Sequence, residues 1–246
     1  LHYPLRRQRQ MCIRDRYMED GKIKILYEDN HLIVVEKPIN MLVQSDNTHD
    51  LDLQTLIKKY LKEKYQKPGN VYLGLVHRLD RPVGGVMVFA KTSKAAARLS
   101  KSIKNHEFKK DYIAVLDRKI DYDAALEDKI LIKDNKVIID SNGKVAKLEY
   151  KVLDIKEEKT LVIINLITGR KHQIRIQFAS RNFPLWGDLR YNKQAKVGEQ
   201  IALWATKIEF KHPTKDEIMI FKSKPDTRKY PWSIFCLLYT SPSPRD

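Results

Sequence analysis

His77-Arg78-Leu79-Asp80-Arg81-Pro82-Val83-Gly84-Gly85, followed by Val86 to Thr92, joins two expected strands by a turn. Val71 to Val76 and Val86 to Ala90 read as buried strands on either side of it. Pro82 fixes its own φ, and the paired glycines permit conformations closed to other residues. Asp80 therefore sits at a tight turn with a cation on either side of it in sequence. Opposite charge favours the ionised carboxylate, and an ionised carboxylate in a cleft can serve as nucleophile or base. Taken alone, an aspartate in a turn is more often structural.

Working outward, the reading is mixed. Lys24 to Tyr27, Leu32 to Glu36, Tyr112 to Leu116, Leu148 to Ile155, Leu161 to Ile167, Ile201 to Phe210 and Glu217 to Phe221 are expected strands. Leu53, Leu56, Ile57, Tyr60, Leu61 and Tyr65 recur at helical spacing, with lysines on the other face. Ser93 can cap a helix running to about Asn105, and His172 to Ser180 reads as a short helix. Strands outnumber helices and regular β-α-β alternation is absent. The expected class is therefore α+β, with a large, mostly antiparallel mixed sheet flanked by helices and loops.

Both ends look foreign to this pattern. Leu1 to Arg16 has no strand or helix periodicity, and Cys236 to Asp246 ends in Ser-Pro repeats that neither helix nor sheet accommodates. The strings MCIRDR and LLYTSPSPRD resemble translated adaptor read-through, and the alternative is a genuine basic arm. Residues 1–17 and 236–246 are expected to be non-native or disordered flanks of one domain spanning 18–235, with the natural start near Met18.

The 246 residues are 42% hydrophobic and 32% charged, with a formal net charge of +16. Such a charge suits a polyanionic partner, although it informs on partners and not on fold. No apolar run approaches the roughly 20 residues that span a bilayer, so a soluble protein with no membrane partner is expected. Cys12 and Cys236 lack neighbours at zinc-ligand spacing. A reducing cytoplasm and no structural metal are expected. Gly-rich phosphate loops, a dinucleotide fingerprint and a nucleophile elbow are missing, which leaves an unaided carboxylate as the more plausible centre.

Two further segments carry polar side chains in unusual density. In Ile167-Thr168-Gly169-Arg170-Lys171-His172-Gln173-Ile174-Arg175-Ile176-Gln177, Thr168 can cap and the chain from Lys171 enters a helix. His172 and Arg175 then share a face, beside an anion-binding end formed with Arg170 and Lys171. A solvated basic helix is the plainer alternative. In Phe108 to Leu116, alternation puts Tyr112, Ala114 and Leu116 on one side of a strand, where a tyrosine is normally core or a stacking surface.

Taken in order, these segments resemble the RluA family of pseudouridine synthases. The matching positions are Glu36-Lys37-Pro38, His77 to Arg81, Tyr112-Ile113-Ala114, Thr168 to Arg175, and Gly187-Asp188-Leu189-Arg190-Tyr191, over about residues 22 to 222. The resemblance implies the pseudouridine synthase catalytic fold and an isomerase of specific uridines in ribosomal or transfer RNA. It implies Asp80 as catalytic carboxylate, Arg175 as its buried salt-bridge partner, and Tyr112 stacked on the target uracil. Arg78 would fill the gap left by the flipped base. Arg81, Lys37, Arg170, Lys171 and His172 would contact the RNA, a stem-loop from which the uridine flips. No cofactor or metal is implied, and a monomer is expected. Val83-Gly84-Gly85 stands where the family commonly has Thr-Ser-Gly, and Gln177 where it often has His. Only a few residues precede the first expected strand, so the small RNA-binding module often fused ahead of this domain is expected to be absent. An inactive RNA-binding or ribosome-assembly protein on the same fold, and a glycosylase that also flips a base, are the competing functions.

Overall fold

The computed structural model describes residues 23–46, 48, 50–134 and 136–235. The expectations about residues 1–17 and 236–246 lie outside the described residues. Eleven strands and three α-helices are present among them, with a short 3-10 turn at Trp232–Ile234. They divide into two compact units: the described residues up to Lys109 with Lys207–Ser223, and Lys110–Thr206 with the described residues from Lys224.

In the first unit, β1 (Ile25–Glu28) pairs antiparallel with β2 (Leu32–Lys37), and β2 with β4 (Gly84–Ala90). The two-residue β3 (Gly74–Leu75) also pairs with β4. All seven residues of β4 are buried, so this apolar run is the spine of the unit. Helix α1 (Leu53–Lys64) starts at Asp52, whose carboxylate accepts from Thr55 N at 2.9 Å. It buries Leu53, Ile57 and Leu61 and leaves its lysines in water. Helix α2 (Ser93–Lys104) is capped by Thr92 and not by Ser93; the Thr92 hydroxyl accepts from Ala95 N at 3.2 Å. Its Ala95 and Leu99 join Val34, Val86, Val88, Phe108 and Phe210 in one apolar cluster. Each such fully buried side chain contributes roughly 1.5–3 kcal/mol relative to exposure.

In the second unit the order is β5-β9-β8-β6-β7, all antiparallel. These are β5 (Lys109–Leu116), β9 (Lys159–Leu166), β8 (Lys144–Lys156), β6 (Ala124–Lys133) and β7 (Lys136–Ile139). The last two were not expected. In β6 only Leu126 and Ile130 are buried and the polar Asp128 stands between them on the same side, so the sequence shows no clear apolar alternation; its pairing with β8 makes it a strand. Helix α3 (Gln173–Ala179) lays Ile176 on Ile130, Val137 and Ala146. Strand β10 (Leu203–Lys211) runs through the division, and its first-unit part pairs with β11 (Ile218–Lys222). The α+β class and the antiparallel pairing are as expected.

Candidate functional site

Asp80 stands in the connection that leads into β4, half-buried, after the buried Leu79. The turn closes with Val83 N donating to Asp80 O at 3.0 Å. Beneath it lies Lys37, the last residue of β2, at 0% exposure. Its ammonium donates to Pro38 O at 3.0 Å, Arg81 O at 3.0 Å and Val83 O at 2.6 Å. Burial pushes the Lys37 pKa down to about 7, opposed by the attraction of Asp80. Three donors meeting three carbonyls hold the segment on the C-terminal side of Asp80 in place.

This corrects one expectation. Lys37 presents no cation to a phosphate; it is a backbone clamp. Arg78 is exposed. Arg81 is half-exposed and pairs with Asp50 at 2.6 Å. His77 accepts from Val88 N through Nε2 at 3.1 Å and packs on the Phe108 ring, a structural role.

In the second unit the Thr168–Gln177 segment is held by side chains rather than by a helix cap. Thr168 does not cap α3; its hydroxyl donates to Gln173 Oε1 at 2.7 Å, an oxygen that also accepts from Arg170 N at 3.0 Å. The residue before the helix is His172, left-handed at φ 53 with no capping bond. Its Nδ1 lies 2.8 Å from Tyr191 Oη. Arg175, 7% exposed, donates from Nε to Asp188 Oδ2 at 2.9 Å and from Nη2 to Asp188 Oδ1 at 2.7 Å. Its guanidinium carbon stands 5.2 Å from the Tyr191 ring centre. Asp188 is 1% exposed and also accepts from Arg190 N at 3.1 Å. The pair is bidentate, so the guanidinium plane has a fixed orientation.

His172 and Arg175, expected on one face, thus converge on Tyr191. The carboxylate that holds Arg175 within its own unit is Asp188. Its signal was present in the Gly187-Asp188 turn. Gly187 has φ +70, and a Cβ there would stand 2.7 Å from Gln200 O, so only glycine lets the chain pass and aim Asp188 inward. Tyr112 is 6% exposed on β5. Arg170 and Lys171 are exposed, Arg170 with one nitrogen on Val145 O at 2.9 Å. Gln177 is fully buried and donates its amide to Asp128 at 2.8 Å and Ala146 O at 3.2 Å. Among the described residues no group of three or more His, Cys, Asp or Glu is placed to hold a metal ion. No described helix is long and apolar enough to cross a membrane.

Residues 31–180 match the family described as RNA pseudouridylate synthase. The chain is 32% identical over 216 residues to ribosomal large subunit pseudouridine synthase D of Nitrosomonas europaea, covering 82% of this chain and 61% of that one. It is 34% identical to an uncharacterized RNA pseudouridine synthase of Aquifex aeolicus, covering 87% and 74%. The solved structure of human RNA pseudouridylate synthase domain containing 4 superposes with a TM-score of 0.70 at 21% identity, covering 89% of this chain and 93% of that one. That last likeness speaks for the fold.

Proposed function

The chain belongs to the RNA pseudouridylate synthase family, of the RluA type, and from that premise we propose that it isomerises specific uridines in ribosomal or transfer RNA to pseudouridine, with Asp80 as the catalytic carboxylate. Its match spans 61% of the length of the Nitrosomonas europaea protein. The observation that carries the reading is a half-buried carboxylate on a turn that a fully buried lysine clamps to the end of β2.

The reaction breaks the C1′–N1 glycosidic bond, turns the base and forms C1′–C5; a proton leaves C5 and N1 gains one. The uridine must first leave its stack, at a cost of a few kcal/mol that is smallest in loops and distorted stems. Asp80 acts either on C1′, as glycosidase carboxylates do, or on a C2′ proton. Both routes need a carboxylate held still and ionised. Tyr112 stacks on the uracil and helps to remove the C5 proton. Arg175 supplies the guanidinium, whose plane Asp188 fixes. Arg78 enters the gap left in the RNA, and Arg81, Arg170, Lys171 and His172 contact its backbone. We place this activity in the cytoplasm, carried out by a monomer.

The test is base-resolution mapping of pseudouridine in total RNA from cells with and without the gene. Loss of defined pseudouridines in the deletion, restored by the wild-type gene, is expected. An unchanged map together with RNA binding would favour an assembly protein, and release of free uracil would favour a glycosylase.

A further inference from the structure

Lys110 lies on β5 two residues before Tyr112, so both side chains leave the strand on the same face, about 7 Å apart along it. It is 8% exposed. Among the described residues it has no hydrogen-bond or ion-pair partner. Burial alone acts on its ammonium and pulls the pKa below the ordinary lysine value. An uncompensated buried cation is costly, and this chain compensates Lys37 with three carbonyls and Arg175 with a carboxylate.

The ammonium has an opening. A Cβ built on Gly169 would stand 3.3 Å from Lys110 Nζ. Gly169 does not have a positive φ, so its backbone conformation does not demand glycine. Its missing side chain leaves space above the ammonium instead. Gly169 is exposed, and so are the two cations that follow it, Arg170 and Lys171. A largely buried positive charge thus lies close beneath the exposed backbone at Gly169, which two exposed cations follow in sequence. The partner that completes it is an anion.

We propose that Lys110, with the Gly169 backbone and the flanking Arg170 and Lys171, forms a subsite for one RNA backbone phosphate. This rests on the function proposed above, because the Tyr112 face then carries the target uracil and places the phosphate within about one nucleotide of it. A phosphate completes the ammonium's charge pairing when RNA binds, and the energy recovered goes into docking the RNA in one register.

The experiment compares the wild-type chain with Lys110→Met and Gly169→Val, using a large-subunit ribosomal RNA transcript and a plain single-stranded RNA as probes. Affinity is measured against salt concentration, with thermal midpoints alongside. Neutralising one phosphate contact changes the slope of log affinity against log salt by about 0.7–0.9. Lys110→Met is expected to lose about that much slope with an undiminished thermal midpoint. Gly169→Val is expected to lose it too, by filling the gap while leaving the charge in place. An unchanged slope in Lys110→Met would overturn the subsite, even if the wild type makes pseudouridine normally. A wild type that modifies no RNA would sink the functional reading, yet the slopes on plain single-stranded RNA would still decide the subsite. Inorganic phosphate is titrated separately, following the Lys110 ammonium by NMR. Tight binding of free phosphate with RNA affinity indifferent to Lys110 would assign the site to a small anion and overturn the RNA assignment.

Discussion

The two units treat their buried cations differently. In the first, Lys37 is fully buried and gives its ammonium to three backbone carbonyls around the turn that follows Asp80. In the second, Arg175 is paired edge-on with a buried carboxylate, while Lys110 at 8% exposure has no partner among the described residues. Lysine in the first unit is satisfied by the fold and acts as structure. Arginine in the second is satisfied by another side chain, which fixes its plane without neutralising the need for precise placement. Lys110 is satisfied by neither among the described residues, and the proposed RNA phosphate would complete its pairing. Burial by itself therefore does not sort structural cations from functional ones; the identity of the partner does.

Breaking the Arg175–Asp188 pair is expected to have the largest effect on stability. Arg175→Ala strands a carboxylate that is 1% exposed, and breaking such a pair typically costs about 3–5 kcal/mol. Urea denaturation should show that loss, with no pseudouridine formed. Arg175→Lys should fold and yet lose most activity, because a point charge cannot span both oxygens of Asp188. If both variants turned over normally, Arg175 would belong with the structural cations.

Lys37→Met comes next. It leaves the Pro38, Arg81 and Val83 carbonyls short of a donor, at a cost of about 1–3 kcal/mol. Turnover is expected to fall by more than RNA affinity does, since the turn beside Asp80 loosens while the exposed cations stay. A fall confined to RNA affinity would return Lys37 to the RNA surface.

A smaller effect separates burial from bonding. The Lys37 pKa falls from 10.5 to about 7 on folding. Between those values the unfolded chain holds more protons than the folded one, so this group makes stability rise with pH across that window. Below about 7 both states are protonated and the contribution is flat. Wild type should therefore gain on Lys37→Met when urea midpoints are measured at pH 9.5 instead of pH 7. A gap that stays flat or shrinks with rising pH would mean that Lys37 stays charged in the fold.

The smallest stability change is expected for Lys110→Met. A thermal midpoint equal to or above that of wild type is the mark of a cation kept for a ligand. A clear drop would show that the fold itself satisfies Lys110.

Much of this was legible in advance, for identifiable reasons. Val86 to Ala90 is a continuous apolar run, and β4 is buried throughout; strong patterns of that kind survive any context. Strand β6 was invisible because its sequence, AALEDKILIK, buries only Leu126 and Ile130 and depends on β8 for its pairing. Thr168 read as a cap because capping rules see only the backbone, whereas Gln173 competes for the hydroxyl. Lys37 is an expected RNA contact only through the resemblance, and nothing local reveals that the strand end is fully buried beneath the Asp80 turn. Asp188 had a motif but no assigned role, because its partner stands thirteen residues away in another element. Lys110 was missed for the same reason as Lys37: among 47 lysines and arginines a single buried one has no mark in sequence.

The most direct measurement is pseudouridine formation by purified Asp80→Asn on an RNA that the wild-type chain modifies. Asparagine keeps the shape of the side chain and removes the charge. The expected result is no detectable pseudouridine, with RNA affinity within about tenfold of wild type because phosphate contacts dominate it. Retained turnover by the Asn variant would contradict the account and remove Asp80 from the active site.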